Sequence, residues 1–189
     1  MSTLKVNTIQ ETDGSNFHGF WNYGTAFNYN ASGVSTQTPT FTGWDVAKVQ
    51  HIRISWVNLS RDDNNHLSFR VGTSGTFSNA VSSGYTNTSG SFGISNQSQG
   101  DRNGNRIMFY QVSSNNLAYD GQLDLYRFSD SIFRFQGYTT PRTDDYLYLT
   151  NGQVPVSSMS HIFAYSESGD SLTGNFDSGQ WKLDYLEAD

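Results

Sequence analysis

Hydrophobic and polar residues alternate with a period of two along most of the chain. Between residues 49 and 57, Ile52, Ile54 and Trp56 share one face, with Val49 out of step. The alternation recurs in later runs, whose apolar members are Leu67, Phe69 and Val71; Ile107 and Phe109; Leu123 and Leu125; Phe133 and Phe135; Leu147 and Leu149; Ile162 and Ala164; and Trp181, Leu183 and Tyr185. Such alternation is typical of half-buried antiparallel strands.

Polar turn sequences separate these runs. They are residues 61–65, 72–75, 101–105, 151–152 and 168–170. Residues 74–100 and 111–117 are rich in Ser, Asn and Gly, and we expect long ordered loops there. No stretch of helical length keeps a 3.6-residue apolar period. The pattern therefore predicts an all-β fold, an antiparallel β-sandwich of jelly-roll-like architecture.

Two N-terminal segments differ from this core, which we assign to residues 46–189. Residues 1–12 are mostly polar. Their apolar side chains after Met1 are Leu4, Val6 and Ile9, and the segment is expected to form a short extended tether that orders against another surface. Residues 13–45 are rich in aromatic side chains. They are interpreted as an edge strand and loop whose aromatics cap the sandwich, or alternatively as an oligomer seam or a sugar-stacking surface.

Composition supports a β protein and narrows its chemistry. Charged residues make up 15% of the chain, yet the mean hydropathy is −0.57, so its polarity comes from Ser, Thr, Asn, Gln and Gly. These residues, unlike Lys and Glu, favour strands and turns. The chain has no cysteine, which removes disulfides, thiol catalysis and Cys-based zinc sites together.

Charge and hydrophobicity limit the partners. The net charge is −6, and eleven basic residues spread along the chain form no cluster, so nucleic acid is not an expected partner. No apolar run approaches the length that spans a bilayer, and residues 1–13 lack the apolar core of a signal peptide. We expect no membrane insertion and no standard secretory route.

Catalytic and metal-binding patterns are weak. The four histidines lie in no metal-ligand spacing, and no nucleophile elbow or phosphate-cradling loop occurs. The adjacent pairs Asp62/Asp63 and Asp144/Asp145 are interpreted as solvated turns, since neighbouring residues point apart. Residues 101–105 resemble the opening of a calcium loop but lack its acidic closing ligand. We predict no enzyme activity, no metal and no cofactor.

The N-terminus carries a resemblance to known proteins. Leu4, Val6, Thr8 and Ile9 match a Leu-x-Val-x-Thr-Ile segment that begins many tail-fibre and other virion proteins of marine bacteriophages, cyanophages especially. In those proteins this segment lies at the particle-proximal end. The resemblance implies that Leu4, Val6 and Ile9 attach the chain to a particle.

Residues 50–187 resemble, more loosely, several phage fibre-tip and head-fibre domains. The shared features are an Ile-x-Ile-x-aromatic strand, a strand ending in a Gly-x-Ser-Gly turn, a Ser-Gly-Tyr step and a final Phe-x-Ser-Gly-x-aromatic strand. They match Ile52, Ile54 and Trp56; Gly72, Ser74 and Gly75; Ser83, Gly84 and Tyr85; and Phe176, Ser178, Gly179 and Trp181. Such domains are jelly-roll-like and commonly trimeric, and the aromatic segment 13–45 departs from them.

These resemblances imply a bacteriophage virion structural protein, assembled in the host cytoplasm. It would be a short fibre or a decorating knob, attached to capsid or tail proteins through its N-terminus and displaying its sandwich as a homotrimer. Contact with a host-surface glycan is one use of that display. Tail and capsid positions are both open.

The alternative function is a carbohydrate-binding module or lectin without a virion role. Trp21 and Tyr23 would stack on sugar rings, and Asp62, Asp63 and Asn65 would hydrogen-bond sugar hydroxyls. A glycan-degrading depolymerase ranks third, because no residues in the sequence supply its chemistry.

Overall fold

A computed structural model describes the greater part of the chain. The described residues are 22–23, 27–28, 39–61, 66–75, 80, 83–92, 97–104, 106–109, 117–142, 146–155, 159–168, 171–174 and 176–188. The predicted tether, residues 1–12, lies outside them, so its attachment role stays a prediction.

All regular secondary structure in these ranges is β. The strands are β1 (Asn22–Tyr23), β2 (Phe27–Asn28), β3 (Thr40–Phe41), β4 (Val49–Arg61), β5 (His66–Gly72), β6 (Tyr85–Phe92), β7 (Gln97–Gly104), β8 (Ile107–Phe109), β9 (Tyr119–Ser129), β10 (Ile132–Pro141), β11 (Leu147–Pro155), β12 (His161–Ser168), β13 (Ser171–Gly174) and β14 (Phe176–Glu187). The described part of the chain includes no helix able to cross a membrane.

The strands form two antiparallel sheets. The large sheet has the order β1-β14-β4-β9-β10-β11-β6-β7, with β2 also pairing with β14, and the small sheet has the order β13-β12-β5-β8, with β3 also pairing with β12. Strands β4 and β5 are consecutive in the chain but lie in different sheets. Strand β4 pairs with β14 in the large sheet, and β5 pairs with β12 in the small sheet. The predicted antiparallel, jelly-roll-like sandwich is therefore confirmed.

Aromatic rings fill the space between the sheets. Trp56 and Trp181 of the large sheet lie 5.5 Å apart by ring centroid, and Phe69 of the small sheet lies 5.6 Å from Trp56 and 6.2 Å from Trp181. Each of these three side chains is at most 1% exposed. The predicted apolar face of β4 thus becomes the centre of the core.

A bulge reverses the alternation near the end of β4. The β4–β9 register shifts between Trp56 and Leu59, and Asn58 adopts a left-handed backbone with φ of 55°. Asparagine tolerates this conformation better than most residues. The extra residue turns Val57 and Asn58 to solvent and returns Leu59 to the core, so inward positions change phase along one strand.

Large rings pack against glycines on neighbouring strands. A Cβ added to Gly121 would lie 2.5 Å from the indole of Trp56, and one added to Gly152 would lie 2.7 Å from the ring of Phe135 and 1.9 Å from the carbonyl oxygen of Thr86. Any side chain at either glycine would collide with its neighbours. Glycine in these strands therefore reflects close packing.

Several sequence-based expectations were wrong about loops and turns. Residues 85–92 and 97–104, expected to be loop and turn, form the β6–β7 hairpin instead. The pair Asn151–Gly152, expected to be a turn, lies inside β11, where Asn151 pairs with Gln136 and Gly152 with Phe135. Residue type predicted a turn because Asn and Gly favour one, but the packing of Phe135 requires glycine within this strand.

The apolar face of β11 also differs from expectation. Leu147 and Leu149 were predicted to point inward, but both are only half-buried, whereas Tyr148, Thr150 and Val154 are buried. Leu149 pairs with the exposed residue Tyr138 on the outside of the sheet. The alternation pointed to the two leucines as the core face because the positions that point inward carry the less apolar residues Tyr, Thr and Gly.

The segment 13–45 contributes to both sheets. Backbones of β1 and β2 pair with β14 along one side of the large sheet, and β3 pairs with β12 of the small sheet. Phe41 is buried against Trp181, and the buried Trp44 donates a hydrogen bond from its indole to the carbonyl of Met159 at 2.7 Å. These two aromatics belong to the core.

Candidate functional site: the outer face of the large sheet

We use the name outer face for the side of the large sheet that points away from the small sheet. Most of the polar side chains of the large sheet lie on this face. Strand register aligns them in rows across the strands. The rows are Lys182, Ser55, Gln122, Tyr138, Leu149 and Gly90; Asp184, Arg53, Asp124, Gln136, Asn151 and Thr88; and Leu186, His51, Tyr126, Arg134, Gln153 and Thr86. Each row crosses six strands.

A buried carboxylate anchors the middle row. Asp124, only 5% exposed, accepts hydrogen bonds from His51 Nε2 at 2.7 Å and Arg53 Nε at 2.8 Å on the same oxygen, Oδ1. Its other oxygen, Oδ2, accepts a bond from Gln122 Nε2 at 2.5 Å. Three donors from two strands therefore converge on one side chain.

The same donors control the acidity of Asp124. Burial alone would raise the pKa of this carboxyl, but hydrogen bonds from His51, Arg53 and Gln122 outweigh burial and lower the pKa below its ordinary value. Asp124 is therefore ionised at neutral pH. Its charge is compensated within the protein.

A second acid lies at the edge of this network. Asp184, 6% exposed, accepts a hydrogen bond from Lys182 Nζ at 2.9 Å on Oδ2, and its register partner on β4 is Arg53. Within the described residues, Oδ1 of Asp184 has no hydrogen-bond partner. The β14–β4–β9 side of the outer face is thus a packed arrangement of alternating charges.

Beyond this network, the outer face is hollowed into two neighbouring depressions of about 500 Å³ and 370 Å³. Gln136 and Asn151, which are cross-strand partners, line both depressions. We call the combined depression the groove. The larger part is also lined by Thr86, Tyr126, Arg134 and Gln153, and the smaller by Gln122, Asp124, Tyr138 and Leu149.

Two tyrosine rings border the groove. Tyr126 is 37% exposed and Tyr138 is 44% exposed. The ring of Tyr126 stacks on the imidazole of His51 at a centroid distance of 4.1 Å, and its hydroxyl accepts a hydrogen bond from Gln136 Nε2 at 3.3 Å. Because His51 is itself held by Asp124, the charged network fixes the position of the Tyr126 ring.

At the end of the groove, an arginine lies on an exposed aromatic ring. The guanidinium of Arg134 lies 3.8 Å from the ring centroid of Phe128, and Phe128 is 60% exposed. Arg134 is the register partner of Tyr126 on one side and of Gln153 on the other. A cation–π contact at this distance is attractive and limits the orientations of the guanidinium.

This set of groups suits a ligand rich in hydroxyls. Primary amides offer two donors and an acceptor, which match the paired hydroxyls of a sugar. Exposed tyrosine rings offer flat apolar surfaces for the C–H faces of a sugar ring. The groove combines the amides of Gln136, Asn151 and Gln153 with such rings.

Most of the residues predicted to bind sugar fall outside the part of the chain that the structure describes. Trp21, Asp62, Asp63 and Asn65 lie outside the described residues, as do Leu4, Val6 and Ile9. The backbone of Tyr23 pairs with Asp184, which extends the middle row by one strand. No described contact tests the roles assigned to these side chains.

Sequence reasoning missed the groove residues. Arg134 and Gln136 occupy the polar positions of the β10 alternation, and alternation alone predicts only that such positions face solvent. Asn151 was assigned to a turn. The available signal was the scarcity of Lys and Glu at polar positions of β10 and β11, where Arg, Gln, Tyr and Asn occur instead.

Comparison with known proteins adds no relative. No protein-family model matches the chain, and no curated protein or solved structure matches it. Among the residues that the structure describes, no group of three or more His, Cys, Asp or Glu could hold a metal ion.

Proposed function

We propose that this protein is a non-catalytic binding module of a bacteriophage particle, which holds a glycan of the host surface in the groove of the outer face. The proposal of glycan binding is based on the groove, where amide side chains lie beside exposed tyrosine rings. The virion part depends on the resemblance of the N-terminal segment and of residues 50–187 to phage fibre proteins.

A glycan is a better ligand than a peptide for this groove, because the face of a sheet offers side chains and no free backbone groups. In an interior strand the backbone amides and carbonyls are already paired, so an added peptide strand would find no partners on the face. Side chains alone can make the contacts there. Gln136 and Asn151 provide donors and acceptors at the spacing of adjacent strands, about 5 Å, which is close to the width of a sugar ring. Gln153 adds a further amide two residues along β11.

The protonation state of Asp124 favours ligand binding without catalysis. Glycoside hydrolysis uses one carboxyl as a proton donor with a raised pKa. Asp124, which lines the smaller part of the groove, has a lowered pKa and three internal donors. It stabilises the sheet and positions Tyr126, so we propose a structural role for it.

Truncating an amide in the groove tests the glycan proposal. The full chain is screened on a glycan array, and the best ligand is titrated by calorimetry against Asn151→Ala, Gln136→Ala and the control Gln180→Ala. Gln180 is an exposed amide on β14, outside the groove. Loss of one or two hydrogen bonds should weaken binding about tenfold in each groove variant and leave the control unchanged. Equal affinity in all three variants would place the ligand elsewhere.

The virion proposal has a separate test. Light scattering measures the mass of the full chain and of a chain lacking residues 1–12. A trimer in both supports a fibre or knob assembled by its sandwich, and particle binding that needs residues 1–12 supports attachment through Leu4, Val6 and Ile9. A monomer without affinity for capsid or tail proteins favours the alternative, a lectin without a virion role.

A further inference from the structure

We propose that the glycan held by the groove contains uronic acid, with a uronate ring stacked on Tyr126 and its carboxylate paired with Arg134. This inference rests on the proposed function and adds the chemical class of the sugar. Arg134 differs from Arg53, Arg127 and Arg142 in the groups that it contacts.

Three other arginines at the large sheet have acidic partners. Arg53 pairs with Asp124 at 2.8 Å, Arg142 with Asp120 at 3.0 Å, and Arg127 lies 3.8 Å from Asp130. Arg134 is different, because within the described residues its guanidinium contacts the ring of Phe128 and no carboxylate within 4.0 Å. Among the residues that the structure describes, no carboxylate therefore neutralises its positive charge.

The remaining charge in the groove does not change this imbalance. Asp124 is 5% exposed and its two oxygens already accept three hydrogen bonds. Of the described residues that line the groove, Arg134 is therefore the cation that a ligand meets without an acidic partner. The hydroxyls of a neutral ligand can replace part of the water around a cation, whereas an anionic ligand also offsets its charge.

Geometry favours a carboxylate on a six-membered ring. Arg134 and Tyr126 are directly opposite on adjacent antiparallel strands, where Cβ atoms lie about 5 Å apart. A sugar ring on Tyr126 therefore brings its exocyclic carboxylate to the guanidinium. The Phe128 ring orients that guanidinium, and a planar fork of donors matches a carboxylate with two parallel hydrogen bonds.

The groove also supplies the remaining contacts of such a sugar. Gln153 pairs with Arg134 on the other side, and Gln136 lies in the adjacent row and donates to the hydroxyl of Tyr126. The sugar hydroxyls then face amides while the carboxylate faces the arginine. The groove thus offers a cation for the carboxylate and amides for the hydroxyls.

Titration of the full chain with defined oligosaccharides tests the inference. The probes are galacturonate and mannuronate oligomers, their neutral methyl esters, and a sulfated neutral oligosaccharide. The variants are Arg134→Gln, Arg134→Lys and the control Arg142→Gln, which removes the same charge from an exposed arginine outside the groove. Circular dichroism verifies that each variant is folded.

We expect wild-type protein to bind a uronate oligomer at least tenfold more tightly than its methyl ester. Arg134→Gln should abolish that difference, Arg134→Lys should keep part of it because the charge remains without the planar fork, and Arg142→Gln should keep all of it. Rising salt should weaken uronate binding in wild type more than in Arg134→Gln.

The outcomes that overturn the inference are distinct from those that overturn the proposed function. Neutral glycan binding that is lost in Asn151→Ala and unchanged in Arg134→Gln would leave the function standing and reject the uronate. Preference for the sulfated probe would also reject the carboxylate. No binding of any glycan would reject the proposed function and the inference with it.

Discussion

The inner and outer faces of the large sheet are built from the same strands but are ordered by different forces. On the inner face, Trp56, Leu123 and Leu183 are buried against the small sheet. On the outer face, Asp124 and His51 are also at least 90% buried, but by polar neighbours that hydrogen-bond to them. Burial therefore does not separate the two faces, whereas the kind of contact does.

This difference shows how one sheet can combine a stable apolar core with an exposed polar surface. Apolar packing depends on contact with the other sheet, so the inner face tolerates little change in volume. The outer network fixes Tyr126 through His51 and Asp124 without covering the tyrosine ring. A rigid, partly exposed ring is what a stacking ligand requires.

The sharpest test of the comparison removes a large ring from each face. Trp181→Ala should lower the free energy of unfolding by about 4 kcal/mol, because it leaves a cavity among Trp56, Phe41 and Phe69. Tyr138→Ala on the outer face should cost less than about 1 kcal/mol, since that ring is already 44% exposed. Urea unfolding followed by far-UV circular dichroism measures both. Similar losses would mean that the two faces are equally packed.

An intermediate effect is expected from the buried carboxylate. Asp124→Asn should lower the free energy of unfolding at pH 7 by about 2 kcal/mol, because charged hydrogen bonds from His51 and Arg53 become neutral ones. The folded pKa of Asp124 is lowered, so its contribution is present above the ordinary pKa of 3.8 and is lost as the pH falls through the folded value.

The measurement that checks this is the stability of wild type and Asp124→Asn as a function of pH. The difference should be constant near neutral pH and shrink below about pH 4. Asp130→Asn is the control, because Asp130 is fully exposed and 3.8 Å from Arg127, so little change is expected. A difference that does not depend on pH would mean that Asp124 contributes through packing.

The smallest effect concerns the corrected orientation of β11. Leu149→Ala should cost less than about 1 kcal/mol because Leu149 is half-buried on the outer face, whereas Leu125→Ala in the core should cost about 3 kcal/mol. Thermal or urea unfolding separates the two values. A cost at Leu149 equal to that at Leu125 would restore the inward orientation that the alternation predicted.

Alternation predicted the inner face well where residue types were unambiguous. Ile52, Ile54 and Trp56 in β4, and Phe133 and Phe135 in β10, are buried as their pattern indicated. It misplaced β11 because Tyr, Thr and Gly fill the inward positions there. Local composition hid the β6–β7 hairpin, since Ser, Asn and Gly favour loops when no partner strand is considered.

The sequence by itself determined the all-β class, the antiparallel sandwich and most core positions, because alternation and turn residues act over a few neighbouring residues. Only the tertiary structure decided which strands are adjacent, and therefore that Asp124, Arg134 and Asn151 lie on one face around a groove. These residues are separated in the chain and come together through strand register. Register depends on the packing of rings such as Phe135 over Gly152, which no local pattern encodes.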